Sequence, residues 1–241
     1  MTVGGWQPAR VVDAVAATPS ARLLKLQVPG WPGNDAGQHV DIRLTAEDGY
    51  QAVRSYSIGS YGPGDTIELA VDEIPEGEVS PYLVRDVLPG DELEVKGPLG
   101  GYFVWRPGGV EPVQLIAGGS GIVPLMAMVR AARDAGAAAS FRLLYSVRTA
   151  EDAIYRDELG RVATDGGVGL TWRYTRAAPT GWQGRLGRVD GDVLRGATWD
   201  PDRQPIVYVC GPTGFVEHVA DALVQLGHPS ARIRTERFGG A

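Results

Sequence analysis

The sequence changes rhythm once, and that change limits the folds open to it. From Pro8 to about Val104, short runs rich in β-branched residues are broken by glycine and proline, the punctuation of short strands. The segment Arg106-Pro107-Gly108-Gly109-Val110-Glu111-Pro112 then carries two prolines, two glycines and no periodicity, as a linker does. Beyond it, continuous apolar runs alternate with helical patterns. Such alternation demands a parallel sheet covered on both faces. The 241 residues suffice for two domains of roughly 100–130 residues each, expected at 1–107 and 112–241.

In the first half the expected strands are Arg10–Ala16, Arg22–Val28, His39–Leu44, Ser55–Ile58, Thr66–Val71 and Glu92–Val95. One helix is expected at Ser80–Val87, with Ser80 as N-cap and Pro81 at the first helical position. Near-regular strand spacing with a single helix predicts a closed or nearly closed antiparallel β-barrel. In the second half, strands are expected at Val113–Ala117, Phe141–Val147, Leu170–Thr175, Ile206–Val209 and Ile233–Phe238. Helices are expected at Pro124–Ala135, Glu151–Val162, Asp190–Leu194 and Thr213–Leu226. The fold class is therefore a β-barrel domain followed by an α/β parallel-sheet domain.

Composition closes several doors. One cysteine, Cys210, rules out an intrachain disulfide and a cluster that needs about four thiolates. His39, His218 and His228 have no metal-ligand spacing, so no metal is expected. The net charge of −6, with both signs interspersed, lacks the concentrated basic face that nucleic acid requires. No apolar run reaches the roughly 20 residues of a membrane span. The start, MTVGGWQPAR, lacks a signal-peptide pattern, and a cytoplasmic location is expected.

Four short motifs carry chemistry, although each alone also fits ordinary packing. Arg54-Ser55-Tyr56-Ser57 opens an expected strand that puts Arg54 and Tyr56 on one face. An arginine fork can clamp a diphosphate, a tyrosine ring can stack on a flat heterocycle, and a serine hydroxyl can bond a ring nitrogen. Gly77-Glu78-Val79-Ser80-Pro81-Tyr82-Leu83 turns into the expected helix and offers backbone N–H groups and a hydroxyl to an anion. In Ala117-Gly118-Gly119-Ser120-Gly121-Ile122-Val123-Pro124, glycines at a strand-to-helix turn let main chain approach a second diphosphate. Proline stands where the third glycine of the usual fingerprint would be. Tyr208-Val209-Cys210-Gly211-Pro212 ends a later strand of the same sheet, where open α/β sheets bind ligands. By itself, Cys210 reads as a small buried hydrophobe. Gly97-Pro98-Leu99-Gly100-Gly101-Tyr102-Phe103 reads as a tight turn closing the first half.

In this order, Arg-x-Tyr-Ser, Gly-x-x-Ser-x-Tyr-Leu, Gly-Gly-x-Gly-x-x-Pro and Cys-Gly-Pro resemble the ferredoxin–NADP reductase superfamily, in the form of bacterial members without an iron–sulfur domain. The resemblance runs from about Arg10 to Phe238. It implies a flavin-binding barrel and a nucleotide-binding α/β domain, with FAD and NADP (or NAD) as cofactors. It further implies that Arg54 holds the flavin diphosphate, that Tyr56 stacks on the isoalloxazine with Ser57 near its N5, that Ser55 belongs to the same cofactor-binding set, and that Gly77, Val79 and Ser80 complete the phosphate cradle. Gly119 and Gly121 would cradle the nicotinamide nucleotide's diphosphate, and Cys210 and Gly211 would face the nicotinamide. Glu236 matches a carboxylate placed close to the reacting rings, so Ser57, Cys210 and Glu236 are the catalytic candidates. Phe238 stands where relatives have a terminal aromatic over the flavin, but here Gly239-Gly240-Ala241 follow it.

Arg148, Arg176 and Arg185 fall where NADP-preferring relatives bind the 2′-phosphate, so NADPH is expected over NADH. The expected activity is hydride transfer from NAD(P)H to flavin and onward electron supply to a ferredoxin, flavodoxin or oxygenase component. The rivals are a free-standing flavin reductase or diaphorase, and a non-catalytic electron-transfer subunit. The last class commonly carries a cysteine cluster that this chain lacks. A basic docking patch could draw on Arg10, Arg22, Lys25, Arg43, Arg85 and Lys96.

Overall fold

The computed structural model describes residues 5–165 and 167–239; Gly240 and Ala241 of the expected tail lie outside them. The first half contains β1 (Gln7–Ala16), β2 (Ala21–Gln27), β3 (His39–Thr45), β4 (Gln51–Ser57), β5 (Thr66–Asp72), α1 (Ser80–Arg85) and β6 (Glu92–Leu99). These strands form one antiparallel sheet in the order β4-β3-β6-β1-β2-β5. The edge strands approach each other beyond β4, through an Ile58–Leu69 bridge and a Gly59 N–H bond to the Glu68 carbonyl at 2.8 Å. The sheet thus nearly closes on itself. Alternate residues such as Leu24, Leu26, Val40, Ile42, Ile67 and Leu69 point inward and are fully buried. Each such side chain contributes roughly 1.5–3 kcal/mol through burial.

The second half contains β7 (Val113–Gly118), α2 (Ile122–Asp134), β8 (Phe141–Val147), α3 (Arg156–Thr164), β9 (Gly169–Tyr174), α4 (Gly191–Ala197), β10 (Ile206–Pro212), α5 (Thr213–Gln225) and β11 (Ile233–Phe238). All five strands are parallel, in the order β11-β10-β7-β8-β9. The chain enters at β7, builds outward through β8 and β9, then returns to the other side of β7. The β7/β10 junction is therefore the topological switch point. Leu115 and Ala117 of β7 pack into one apolar cluster with α2, whereas Ile116 packs into another with α4 and α5. That two-sided burial explains the continuous apolar runs.

Four local expectations need correction. The Arg54–Ser57 motif lies at the end of β4, not the start of a strand, because the polar stretch from Gln51 is paired with β3 through Thr45. Ser80 is not the N-cap of α1; Val79 holds that place with no side-chain cap, and the Ser80 hydroxyl accepts the Ile74 N–H at 3.0 Å. Helix α3 starts at Arg156 rather than Glu151, since the Asp152 carboxylate accepts both the N–H (2.9 Å) and the hydroxyl (3.0 Å) of Thr149 and winds residues 149–155 into turns. Gly97-Pro98-Leu99 belongs to β6 and is not part of a turn.

The halves are joined by more than a linker. Ala36, Ala70, Phe103 and Trp105 of the first half share the apolar cluster around α2. Beside them, Arg130 of α2 reaches across. Its Nη1 donates to the Gly59 carbonyl (2.8 Å) and to Glu68 (2.7 Å), while Nε and Nη2 donate to Glu158 (2.8 and 2.7 Å). Burial opposes the Arg130 charge, but the hydrogen bond to Glu158 and the Glu68 charge outweigh it and keep the group protonated. The Tyr155 hydroxyl donates to Glu68 at 2.9 Å from a residue held at φ +60°, a conformation that costs on the order of 1–3 kcal/mol and persists because its surroundings impose it.

Candidate functional site

A cleft of about 330 Å³ opens between the halves, lined by Arg54, Ser55, Tyr56 and Ser57 of β4 and by Gly77, Glu78, Val79 and Ser80 at the start of α1. The second half contributes Ser120, Val123, Phe238 and Gly239 to the same walls. Two motifs far apart in sequence thus meet the end of β11. Half-buried Tyr56 packs on the barrel core, and burial raises its phenol to about 12 although the neighbouring Arg54 charge works the other way; the ring is a neutral wall at physiological pH. The Ser55 hydroxyl points elsewhere, donating to Asp41 on β3 at 2.6 Å. Arg54 donates Nη1 to the Val53 carbonyl (2.7 Å) and forms an ion pair with Glu78, which also accepts the Tyr50 hydroxyl at 2.7 Å.

The other predicted residues stand off this cleft. Cys210 and Gly211 lie in β10, next to Ala117 of β7 on one side and Glu236 of β11 on the other. Cys210 is 1% exposed, and burial, then the Glu236 charge, pushes its thiol up; it is packed as an apolar residue. Glu236 has one oxygen, Oε2, buried without a partner, and burial lifts its carboxyl to about 7. A carboxyl in that state can hold or release a proton near neutrality.

The glycines of the strand-to-helix turn after β7 have separate reasons. A Cβ on Gly121 would sit 2.2 Å from the Cys210 carbonyl oxygen, so this glycine is what lets the β7 turn seat against β10. Gly119 faces open space but has φ +56°, which bares the turn's main chain. Phe215 of α5 lies against both Gly118 and Gly211, 2.7–2.8 Å from where their Cβ atoms would be.

The three arginines gather at the far edge of the sheet. Arg176 N–H bonds the Arg148 carbonyl at 2.9 Å, tying the loops after β8 and β9 together. Arg173 holds the loop that carries Arg185, through the Arg185 and Arg188 carbonyls at 2.6–3.2 Å. The Arg148, Arg176 and Arg185 residues are exposed. None of the three lines the cleft.

Sequence reasoning missed Ser120, Asp72, Ile74 and Glu78 as cleft residues. Ser120 was signalled by its place between Gly119 and Gly121 and Glu78 by its place between Gly77 and Val79; nothing local marks Asp72 and Ile74. Most of the supposed basic patch is spent: Arg22 bonds the Val84 and Val87 carbonyls, Arg43 pairs with Glu94, Arg85 with Glu73 and Lys25 with Asp13. Among the described residues no group of His, Cys, Asp and Glu is placed to hold a metal, and no helix is long and apolar enough to cross a membrane.

A flat ring, a guanidinium, hydroxyls and the loop before α1 on one wall, facing Ser120, Val123 and Phe238 with the glycine turn after β7 beside them, suit a phosphorylated aromatic cofactor beside a nucleotide. The family described as Oxidoreductase FAD-binding domain matches residues 8–104, and that described as Oxidoreductase NAD-binding domain matches residues 115–221. Ferredoxin--NADP reductase B of Sorangium cellulosum is 38% identical over 214 residues, covering 85% of this chain and 85% of that protein. NADH-cytochrome b5 reductase 1 of Aspergillus terreus is 30% identical over 208 residues, covering 83% of this chain and 70% of that one. The FAD/NAD-binding domain of nitric oxide dioxygenase from Vibrio cholerae has the same fold, with a TM-score of 0.86 at 23% identity, covering 97% of this chain and 99% of that chain. Barrel, parallel sheet, motif order and relatives agree: the chain belongs to the ferredoxin–NADP reductase superfamily, as an oxidoreductase that binds FAD and a nicotinamide nucleotide.

Proposed function

We propose that the protein is an NAD(P)H-dependent flavoprotein reductase that draws electrons from NADPH, in preference to NADH, and delivers them to a ferredoxin, a flavodoxin or an oxygenase component. The observation that carries this reading is the shared cleft, where Arg54–Ser57 and Gly77–Ser80 of the barrel meet Ser120 and Phe238 of the nucleotide half. In it residues 1–107 form the flavin domain and residues 112–241 the nucleotide domain. When bound, FAD supplies the chemistry, taking an electron pair from the nicotinamide and releasing electrons singly.

The chain's own residues bind, orient and exclude water. Arg54 binds the flavin diphosphate together with the main-chain N–H of Val79, while Gly77, whose own N–H bonds the Ile74 carbonyl at 2.8 Å, turns the chain and Ser80 props the loop. Tyr56 stacks on the isoalloxazine, and Ser57, at the strand's end, bonds its edge. On the opposite wall, Gly119 and Gly121 admit the nucleotide diphosphate to the switch point, while Cys210 and Gly211 form a dry floor under the nicotinamide. Glu236, lifted to about 7, holds a proton beside that floor. Phe238 covers the cleft from β11. Arg148, Arg176 and Arg185 present three exposed cations on one edge of the sheet, the chemistry a 2′-phosphate selects.

The test is the visible spectrum of the purified protein, then anaerobic titration with NADPH and with NADH. A yellow protein bleached at lower NADPH than NADH is expected. A protein that takes up no flavin and bleaches with neither nucleotide would sink the proposal. Bleaching by NADH alone would remove the coenzyme assignment and leave the rest.

A further inference from the structure

Arg54, the one cation among the described residues that line the cleft, is already engaged. Its Nη2 meets Glu78 Oε2, and its Nη1 is turned back on the Val53 carbonyl of its own strand. Glu78 is in turn steadied from the β3–β4 hairpin, where the Tyr50 hydroxyl donates to Oε1. Both Glu78 oxygens therefore have donors, and the carboxyl is held below its ordinary range first by Tyr50 and then by Arg54. The pair is solvent-exposed, with side chains 51% and 45% accessible, so it is screened and can be parted at little cost. Parting it still leaves an anion beside whatever displaces it.

We infer that Glu78 is a built-in competitor for Arg54: its carboxylate pairs with the guanidinium that a flavin phosphate would take, and so weakens flavin binding. A phosphate arriving at Arg54 exchanges one anion for another, so the arginine adds less to affinity than a free guanidinium would. The displaced carboxylate then stands next to the phosphate as a like charge. This makes flavin retention adjustable at one position that touches no ring atom. The inference rests on the assignment of Arg54 to the flavin phosphates.

The experiment is equilibrium dialysis of the full-length chain against FAD, FMN and riboflavin, for the parent protein, Glu78→Gln and Arg54→Gln. Glu78→Gln is expected to lower Kd for FAD by about two- to fivefold and to lower that for FMN as well. Riboflavin, which carries no phosphate, should bind both proteins equally. Arg54→Gln should weaken FAD at least about tenfold. Unchanged or weaker FAD binding by Glu78→Gln, with the Arg54→Gln loss intact, overturns the competitor role and spares the flavin site. A gain for riboflavin equal to that for FAD also overturns it, because the effect would not pass through phosphate. FAD affinity unaltered in Arg54→Gln removes the flavin-site reading itself, and the inference with it.

Discussion

The two walls of the cleft are made of different material. On the barrel side they are side chains: the Arg54 guanidinium, the Tyr56 ring and the Ser80 hydroxyl, each held by a nameable contact with β4, α1 or the loop before it. On the nucleotide side Ser120, Val123 and Phe238 line the cleft, and they rest on main chain: the Gly119 turn at positive φ, the Gly121 seat against Cys210, and the end of β10. A wall of side chains can be retuned one residue at a time, as Glu78 illustrates. A wall of main chain is set by the packing of β7 on β10 and gives little without the fold giving too.

The largest effect that would break this comparison is at Gly121. An added methyl must displace β10 main chain 2.2 Å away, so Gly121→Ala is expected to cost about 3 kcal/mol and roughly 6–12 °C in Tm. Gly119→Ala meets no neighbour and pays only for its φ, about 1 kcal/mol. Equal melting temperatures for the two variants would show that the seat against β10 is not tight.

Next in size is Glu236. Its carboxyl, lifted to about 7 by burial, favours the protonated form in the folded protein, so stability is lost as pH rises from the ordinary carboxyl range through about 7 and is level above. Glu236→Gln should therefore gain about 1–3 kcal/mol at pH 8 relative to the parent and little at pH 4.5. Parallel Tm-versus-pH curves for parent and variant would contradict the buried, unpartnered carboxyl.

On the barrel wall the expectation is the reverse. Arg54→Gln should shift Tm in the absence of flavin by less than about 2 °C, since its ion pair is exposed, while flavin affinity falls. A large loss of stability would make Arg54 a structural residue and erase the contrast. The smallest expected effect is on coenzyme choice: Arg176→Ala should reduce the NADPH/NADH ratio of kcat/KM by about three- to tenfold, with the NADH value nearly unchanged. An unaltered ratio would count against the exposed edge as the 2′-phosphate site.

The same contrast explains what could be read without coordinates. The two architectures were legible because period-2 strands and fully apolar strands leave different patterns, and the order of the four motifs pointed to one family. Gly119 and Gly121 were legible as a turn, but their separate reasons, a positive φ and a 2.2 Å approach, depend on where β10 lies. Ser80 read as an N-cap because a serine before proline fits one; its hydroxyl is claimed instead by Ile74, six residues back. The start of α3 was misplaced because Asp152 chose a turn over a helical first position. Glu78 lay between two expected site residues, but its hold on Arg54, 24 residues away, had no local signal, since an exposed ion pair between a strand and a loop leaves no periodicity.

The Arg130 cluster has a consequence for how the protein comes apart. One guanidinium joins a barrel carbonyl and carboxylate to a carboxylate of α3, with the Tyr155 hydroxyl closing the ring onto Glu68. Opening the seam would strand Glu68 without its cation and Tyr155 in a conformation that nothing else rewards. Neither half therefore has a low-energy way to melt first. Heat should undo the molecule in a single calorimetric peak, and a chain cut at the linker should yield two fragments that survive only together.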